Sequence, residues 1–295
     1  MKRVEWFGCY GAGWQSAPLV PAAYAHPAKV AFGLAERIYR HMLVEGWLAP
    51  GDRVLDPFGG IGGCAFHAML YGMHWTGVEL EEKFVDLGNQ NLALWRNRYA
   101  PHFPGYGSAR LVQGDSRRLV EVVTGAGGVV SSPPYAESEI VSGRQYDNVD
   151  ARKTKRANDD WSGYGHTPGQ LGAMPAGEAE SADTFWAAAR EIVAQTYALL
   201  RPGAVAAWIT GDFVRNKKRV PFGEQWLALC ESVGFEPLLW AVAWKSDDHG
   251  DQLDIFGEAK PMGTTKVSFF RRLANQKNPE AAILNEDVIF VRRLR

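Results

Sequence analysis

The chain has 295 residues, 46% of them hydrophobic and 22% charged, with a formal net charge of −1 and a pI near 6.7. This is a globular composition, which excludes a disordered chain and the global basic field that announces nucleic acid, so any such contact must come from local patches. Cys9, Cys64 and Cys230 lie far apart and read as reduced cytosolic thiols with no metal-like pairing; no signal peptide and no bilayer-length apolar run appear, so neither a metal nor a membrane partner is expected.

Residues 1–25, rich in Gly, Ala, Pro and aromatics, are expected to form an irregular arm, with 26–295 as one α/β unit. After His26-Pro27-Ala28-Lys29 the spacing of Phe32, Leu34, Ile38, Met42 and Leu43 predicts a helix over about 30–45. Its start presents free N–H groups suited to a carboxylate. Gly51 to Asp56 is the first strand. It enters the glycine-rich turn Asp56-Pro57-Phe58-Gly59-Gly60-Ile61-Gly62-Gly63, and a helix follows from Cys64 to Tyr71. A strand, a glycine turn and a helix bring bare backbone close to a ligand at the carboxyl edge of a parallel sheet. The spacing is neither the dinucleotide fingerprint nor a P-loop. His74 to Glu79 is the second strand. In doubly wound folds an acid at that position bonds ribose hydroxyls, which makes Glu79 a candidate; Glu81 and Glu82 read as a solvated helix start. A helix from about Phe84 to Tyr99, a third strand and turn over 111–116, and a short helix to Val123 follow, with Asp115 placed to cap that helix.

Gly127 to Ser132 is the fourth strand, ending in Ser131-Ser132-Pro133-Pro134-Tyr135. The prolines hold φ near −65° and carry no N–H, so the chain leaves the sheet in a stiff extended turn. The carbonyls there lack ladder partners, and Tyr135 stands a flat ring beside them. Such a turn is a receptacle for a planar molecule carrying an amino group. Residues 136–183 break the alternation, and their basic residues Arg144, Arg152, Lys153, Lys155 and Arg156 are interleaved with aromatics. Long loops inside compact domains are usually functional or disordered, and this mixture suits phosphates and unstacked bases. A helix over about 184–200, a fifth strand over 204–210, a basic cluster containing Lys217 and Lys218, a helix over about 223–233, and a sixth strand over 238–244 come next. Ala282 to Leu284 and Asp287 to Val291 read as a terminal hairpin.

Taken together, Asp-Pro-Phe-x-Gly-x-Gly and Ser-Pro-Pro-Tyr resemble the DNA amino-methyltransferases, which methylate N4 of cytosine or N6 of adenine. Gly63 departs from the Thr of many relatives. The resemblance implies a Rossmann-like class I methyltransferase fold, with a seven-stranded, mostly parallel sheet and an antiparallel terminal hairpin. It implies S-adenosylmethionine as cofactor, held by Asp56, Phe58, Gly60, Gly62, Glu79 and Asp115, with His26 and Lys29 near its methionine end. It makes Ser132, Pro133, Pro134 and Tyr135 the catalytic motif, acting on a base flipped out of double-stranded DNA. Arg144, Arg152, Lys153, Lys155, Arg156, Lys217 and Lys218 are the expected DNA contacts. Ser before Pro-Pro is more typical of N4-cytosine enzymes; adenine N6, RNA, a protein amide, and a binding module without catalysis are the alternatives. The resemblance also implies a cytoplasmic protein of bacterial, archaeal or phage origin, leaves monomer and homodimer both open, and allows a cognate restriction nuclease as a further partner.

Overall fold

The computed structural model describes residues 1–11, 13–26, 29–135, 167–174, 184–215, 218–245, 252–253, 259–260 and 283–294. The elements in chain order are β1 (Lys2–Trp6), α1 (Phe32–Val44), β2 (Arg53–Asp56), α2 (Ala65–Leu70), β3 (His74–Glu79), α3 (Glu82–Tyr99), β4 (Ser108–Gln113), α4 (Leu119–Val122) and β5 (Ala126–Ser131). They continue with α5 (Phe185–Leu199), β6 (Leu200–Thr210), β7 (Phe213–Arg215), β8 (Lys218–Val220), α6 (Phe222–Val233), β9 (Phe235–Trp244), the short β10 (Gln252–Leu253) and β11 (Ala259–Lys260), and β12 (Asn285–Arg293).

The main sheet has the order β1-β9-β12-β6-β5-β2-β3-β4. Every pairing in it is parallel except those of β12, which runs antiparallel to both β6 and β9. This is the Rossmann-like class I arrangement, with eight strands in place of the expected seven. The order runs one way from β2 to β4 and the other way from β5 to β6, so the reversal lies between β2 and β5. That reversal opens a crevice at the carboxyl ends of the two strands.

The strands alternate their buried side chains between two faces, as the pleat requires. On β6, Val205, Ala207 and Ile209 join the cluster that contains Ile38, Tyr39, Phe66 and Trp95 of α1, α2 and α3. Its neighbours Ala204, Ala206 and Trp208 join the cluster of Phe185, Val193, Phe222 and Trp226 from α5 and α6. The result is three layers, with helices on both sides of the sheet. Among the described residues no helix is long and apolar enough to cross a membrane.

Two elements differ from expectation. Lys2–Trp6, expected within an irregular arm, pairs parallel with β9 and forms the sheet edge. Its alternation is short, and Lys2, Arg3 and Glu5 mask it, although charges suit an edge strand. The final strand is one continuous run, and not the two short strands expected: Asn285 to Asp287 pair with Trp244, Ala243 and Val242 despite their polarity. Ala282 lies outside the described residues, whereas Ile283 and Leu284 precede the strand.

Trp6 anchors the added edge. It is 3% exposed, packs edge-on against His41 and Phe290, and carries the Arg37 guanidinium 5.4 Å above its ring. Trp6→Ala is expected to lower stability by about 3–5 kcal/mol, read as a fall in the urea midpoint; an unchanged midpoint would show that β1 contributes nothing to the fold.

Candidate active site

The loop after β2 is held by one buried carboxylate. Asp56 Oδ1 accepts from Ser131 Oγ at 2.5 Å and from the Phe58 N–H at 3.1 Å. Burial pushes its pKa up to about 6, although hydrogen bonds from Ser131, Phe58 and the Cys64 thiol pull it down. Asp56 therefore ties β2, the glycine loop and the end of β5 to one point. The loop turns through left-handed Gly60 and Gly62, with φ of 51° and 82°, a region costly for residues with a Cβ. The Gly60 N–H donates to Glu79 Oε2 at 2.9 Å.

Glu79, at the end of β3, also accepts from the Glu81 N–H at 2.9 Å. Burial pushes its pKa up to about 7 despite hydrogen bonds from the Glu81, Gly60 and Leu80 N–H groups. Glu81 corrects an expectation. It is buried, and its carboxylate takes the Thr167 N–H at 2.9 Å and the Thr167 hydroxyl at 3.0 Å. A pattern of successive acids looked like a solvated helix start because the partner lies 86 residues away. Asp115 accepts from the N–H of Arg117 at 2.9 Å and pairs with its guanidinium at 2.5 Å. Burial acts upward on its pKa, but the Arg117 bonds and charge prevail and lower it. The capping role expected for Asp115 is thus present, and its side chain lines the cavity as well.

His26 is buried with its ring 4.4 Å from that of Phe84. The Lys29 ammonium donates to the carbonyls of Tyr24 at 2.9 Å and His26 at 2.6 Å, which fixes the entry to α1. Of the tandem serines, Ser131 is fully buried and committed to Asp56, which leaves Ser132 on the cavity wall. The Tyr135 ring is steadied by Phe213 at 5.3 Å and by Phe222, edge-on, at 4.9 Å.

These groups surround a cavity of about 380 Å³. His26, Lys29, Asp56, Phe58, Gly60, Glu79, Asp115, Ser132, Pro133, Pro134 and Tyr135 all line it, together with Gly169 to Gly172, Ile209 and Glu286. Gly62 does not line it and shapes the turn instead. Glu286 was not singled out in the sequence, because nothing local to β12 shows that its first residues reach the ligand edge. Lys218 is exposed on β8, which pairs with β7, and is not among the residues that line the cavity. Arg144, Arg152, Lys153, Lys155, Arg156 and Lys217 lie outside the described residues. Among the described residues no group of three His, Cys, Asp or Glu side chains could hold a metal ion.

No protein-family model matches the chain. Among curated proteins, a tRNA (guanine(10)-N2)-dimethyltransferase of Methanothermobacter thermautotrophicus is 28% identical over 118 residues, 39% of this chain. The match takes in 32% of that relative's length. Among solved structures, TrmN from Thermus thermophilus aligns over 93% of this chain and 52% of its own, with 16% identity and a TM-score of 0.46. A SAM-dependent methyltransferase from Methanosarcina mazei aligns over 85% of this chain and 97% of its own, with 10% identity and a TM-score of 0.43.

The raised pKa of Glu79 sets a pH dependence. Its folded value of about 7 lies above the free value of 4.5, so across that window the folded state holds a proton that the unfolded chain has shed. The group's contribution to stability is therefore full below pH 4.5 and lost as pH rises through 7. Melting temperatures of Glu79→Gln should fall less between pH 5 and pH 8, roughly the titration window, than those of the parent. Parallel profiles would show that Glu79 is not the titrating group.

Proposed function

We propose that this chain is an S-adenosylmethionine-dependent methyltransferase that modifies the exocyclic amine of an unstacked nucleobase, N4 of cytosine in duplex DNA. The observation that carries the reading is the meeting of two segments in one cavity: the glycine loop with Glu79 and Asp115, and the Ser132–Tyr135 turn. They are 75 residues apart at Asp56 and Ser131, and the strand reversal brings them together.

The residues present suit the cofactor. The cavity falls in the size range of sites for molecules of this class. Glu79 and Asp115 offer carboxylate oxygens to hydroxyl and amino groups, and Phe58, Ile61 and Phe84 supply apolar walls. When bound, S-adenosylmethionine supplies a methyl group activated on a sulfonium. The chain's own work is positioning and electrostatics. Ser132 and the Pro133 carbonyl accept the amine hydrogens, which draws the nitrogen lone pair out of conjugation and aims it at the methyl group. Tyr135 holds the base by its face, and the prolines keep the acceptors from moving. A base in a duplex must first leave the stack. On a chain of net charge −1, the phosphate contacts fall to Arg144, Arg152, Lys153, Lys155, Arg156, Lys217 and Lys218.

Ser132 before Pro133-Pro134 supports cytosine N4 by the motif association. The second reading, guanine N2 in structured RNA, draws on the archaeal relative, whose name gives that acceptor. Purified protein incubated with plasmid or with tRNA and labelled S-adenosylmethionine, then digested to nucleosides, separates them. Label in N4-methylcytosine is the expected result. Ser132→Ala should lower kcat about 10²-fold without weakening cofactor binding, and Tyr135→Ala should raise KM for nucleic acid about tenfold or more. Cofactor binding with no label on any base would overturn the reading.

A further inference from the structure

The motifs that point to the cofactor and to the amine leave one charged side chain of the cavity unassigned. Glu286 stands second in β12, which among the described residues is the one strand of the main sheet that runs antiparallel to its neighbours. Strand direction explains its position. Its neighbours deliver their last residues to the ligand edge, whereas an antiparallel strand delivers its first. In the ladder, Glu286 sits opposite Ala243 of β9, and Asp287 sits opposite Thr210, the final residue of β6. The start of β12 thus arrives at the edge that carries Asp56 and the Ser132–Tyr135 turn.

Two groups hold the carboxylate. Tyr10, from the segment after β1, donates its hydroxyl to Glu286 Oε2 at 2.7 Å. The Lys245 ammonium, just past β9, stands 3.6 Å from Oε1. Burial and the charge of Glu286 push the Tyr10 hydroxyl far above its ordinary pKa, so that it remains a donor. Gly211 keeps the space between Glu286 and the stacking ring open. A Cβ there would lie 3.0 Å from Tyr135 Oη and 3.6 Å from Glu286 Cγ, which puts the carboxylate on the Tyr135 side of the cavity.

Resting on the methyltransferase reading, we propose that Glu286 is a specificity-determining residue of the target side: its carboxylate shares one hydrogen of the acceptor amine with Ser132 in a three-centre bond and excludes edges that carry a carbonyl there. An ionised carboxylate only accepts hydrogen bonds, and has about four lone-pair positions. Tyr10 and Lys245 together engage part of that capacity. Cytosine and thymine differ along this edge by an amine against O4, so an acceptor-only group separates them and a neutral amide does not. A site built to bond a substrate N–H rejects analogues that leave its buried group unpaired.

The test uses Glu286→Gln and Tyr10→Phe in the full chain, with plasmid methylation as the assay and single-stranded oligo-dC and oligo-dT as competitors. The parent should be inhibited by oligo-dC well below the concentration at which oligo-dT acts. Glu286→Gln should raise KM for plasmid about tenfold, leave S-adenosylmethionine affinity unchanged, and bring the two competitors toward equal potency. Tyr10→Phe should shift both quantities in the same direction by less. If Glu286 merely fastened Tyr10 to the sheet, both variants would melt earlier with selectivity intact, and that result overturns the proposal. So does parental KM and selectivity in Glu286→Gln. Where the parent labels adenine, oligo-dA and oligo-dI replace the competitors, and where it labels guanine in tRNA, oligo-G and oligo-xanthosine do. A parent that binds cofactor and labels no base overturns the methyltransferase reading and this inference with it; a parent that labels DNA or RNA while Glu286→Gln behaves identically overturns this inference alone.

Discussion

The bond from Ser131 to Asp56 joins the ends of two adjacent parallel strands at the place where the sheet order reverses. Without it the glycine loop and the Pro-Pro turn would be two mobile exits from neighbouring strands. With it, the Phe58 N–H, the Cys64 thiol and Ser131 converge on one buried carboxylate, and both exits share a common reference. The cavity geometry depends on that point, since the backbone that meets a ligand begins one or two residues away on either side. Burying a carboxyl is unfavourable, and several donors on one carboxylate offset the loss.

A second constraint is the distribution of carboxylates around the cavity. Asp56 is spent on the scaffold and Asp115 is neutralised by Arg117. Glu81 is occupied by Thr167, so it clamps the returning segment 167–174 beside the glycine loop. All of these but Glu81 line the cavity, and they differ in what holds them: Glu79 is anchored by backbone N–H groups, and Glu286 by the Tyr10 hydroxyl and the Lys245 ammonium. Acids of similar appearance in the sequence therefore do different work: some fasten backbone, and others keep lone pairs facing the space a ligand would fill. The division follows from which donors tertiary contacts bring to each one.

The legible parts of the chain were those whose cause is local. Alternation and capping placed the strands and helices to within a few residues, and the run of glycines marked the loop after Asp56. The two prolines marked the turn after β5. Three features escaped for one reason, that their partners are remote. Lys2–Trp6 becomes a strand only because β9 offers a free edge. Asn285 to Asp287 become strand because β9 continues beside them. Glu81 is buried because Thr167 returns over it.

The sequence by itself determined the chemistry that the chain can offer: a flexible glycine turn, a rigid Ser-Pro-Pro-Tyr turn, and acids at strand ends. Each follows from backbone restrictions that residues carry with them wherever they are placed. Tertiary structure alone decided which of these groups meet. It chose Ser131 over Ser132 as the partner of Asp56, and so left Ser132 on the cavity wall. It also turned β12 against its neighbours, so that Glu286 lies at the ligand edge and not at the opposite end of the sheet. Strand direction and order are set by packing over the whole chain, and no local pattern encodes them.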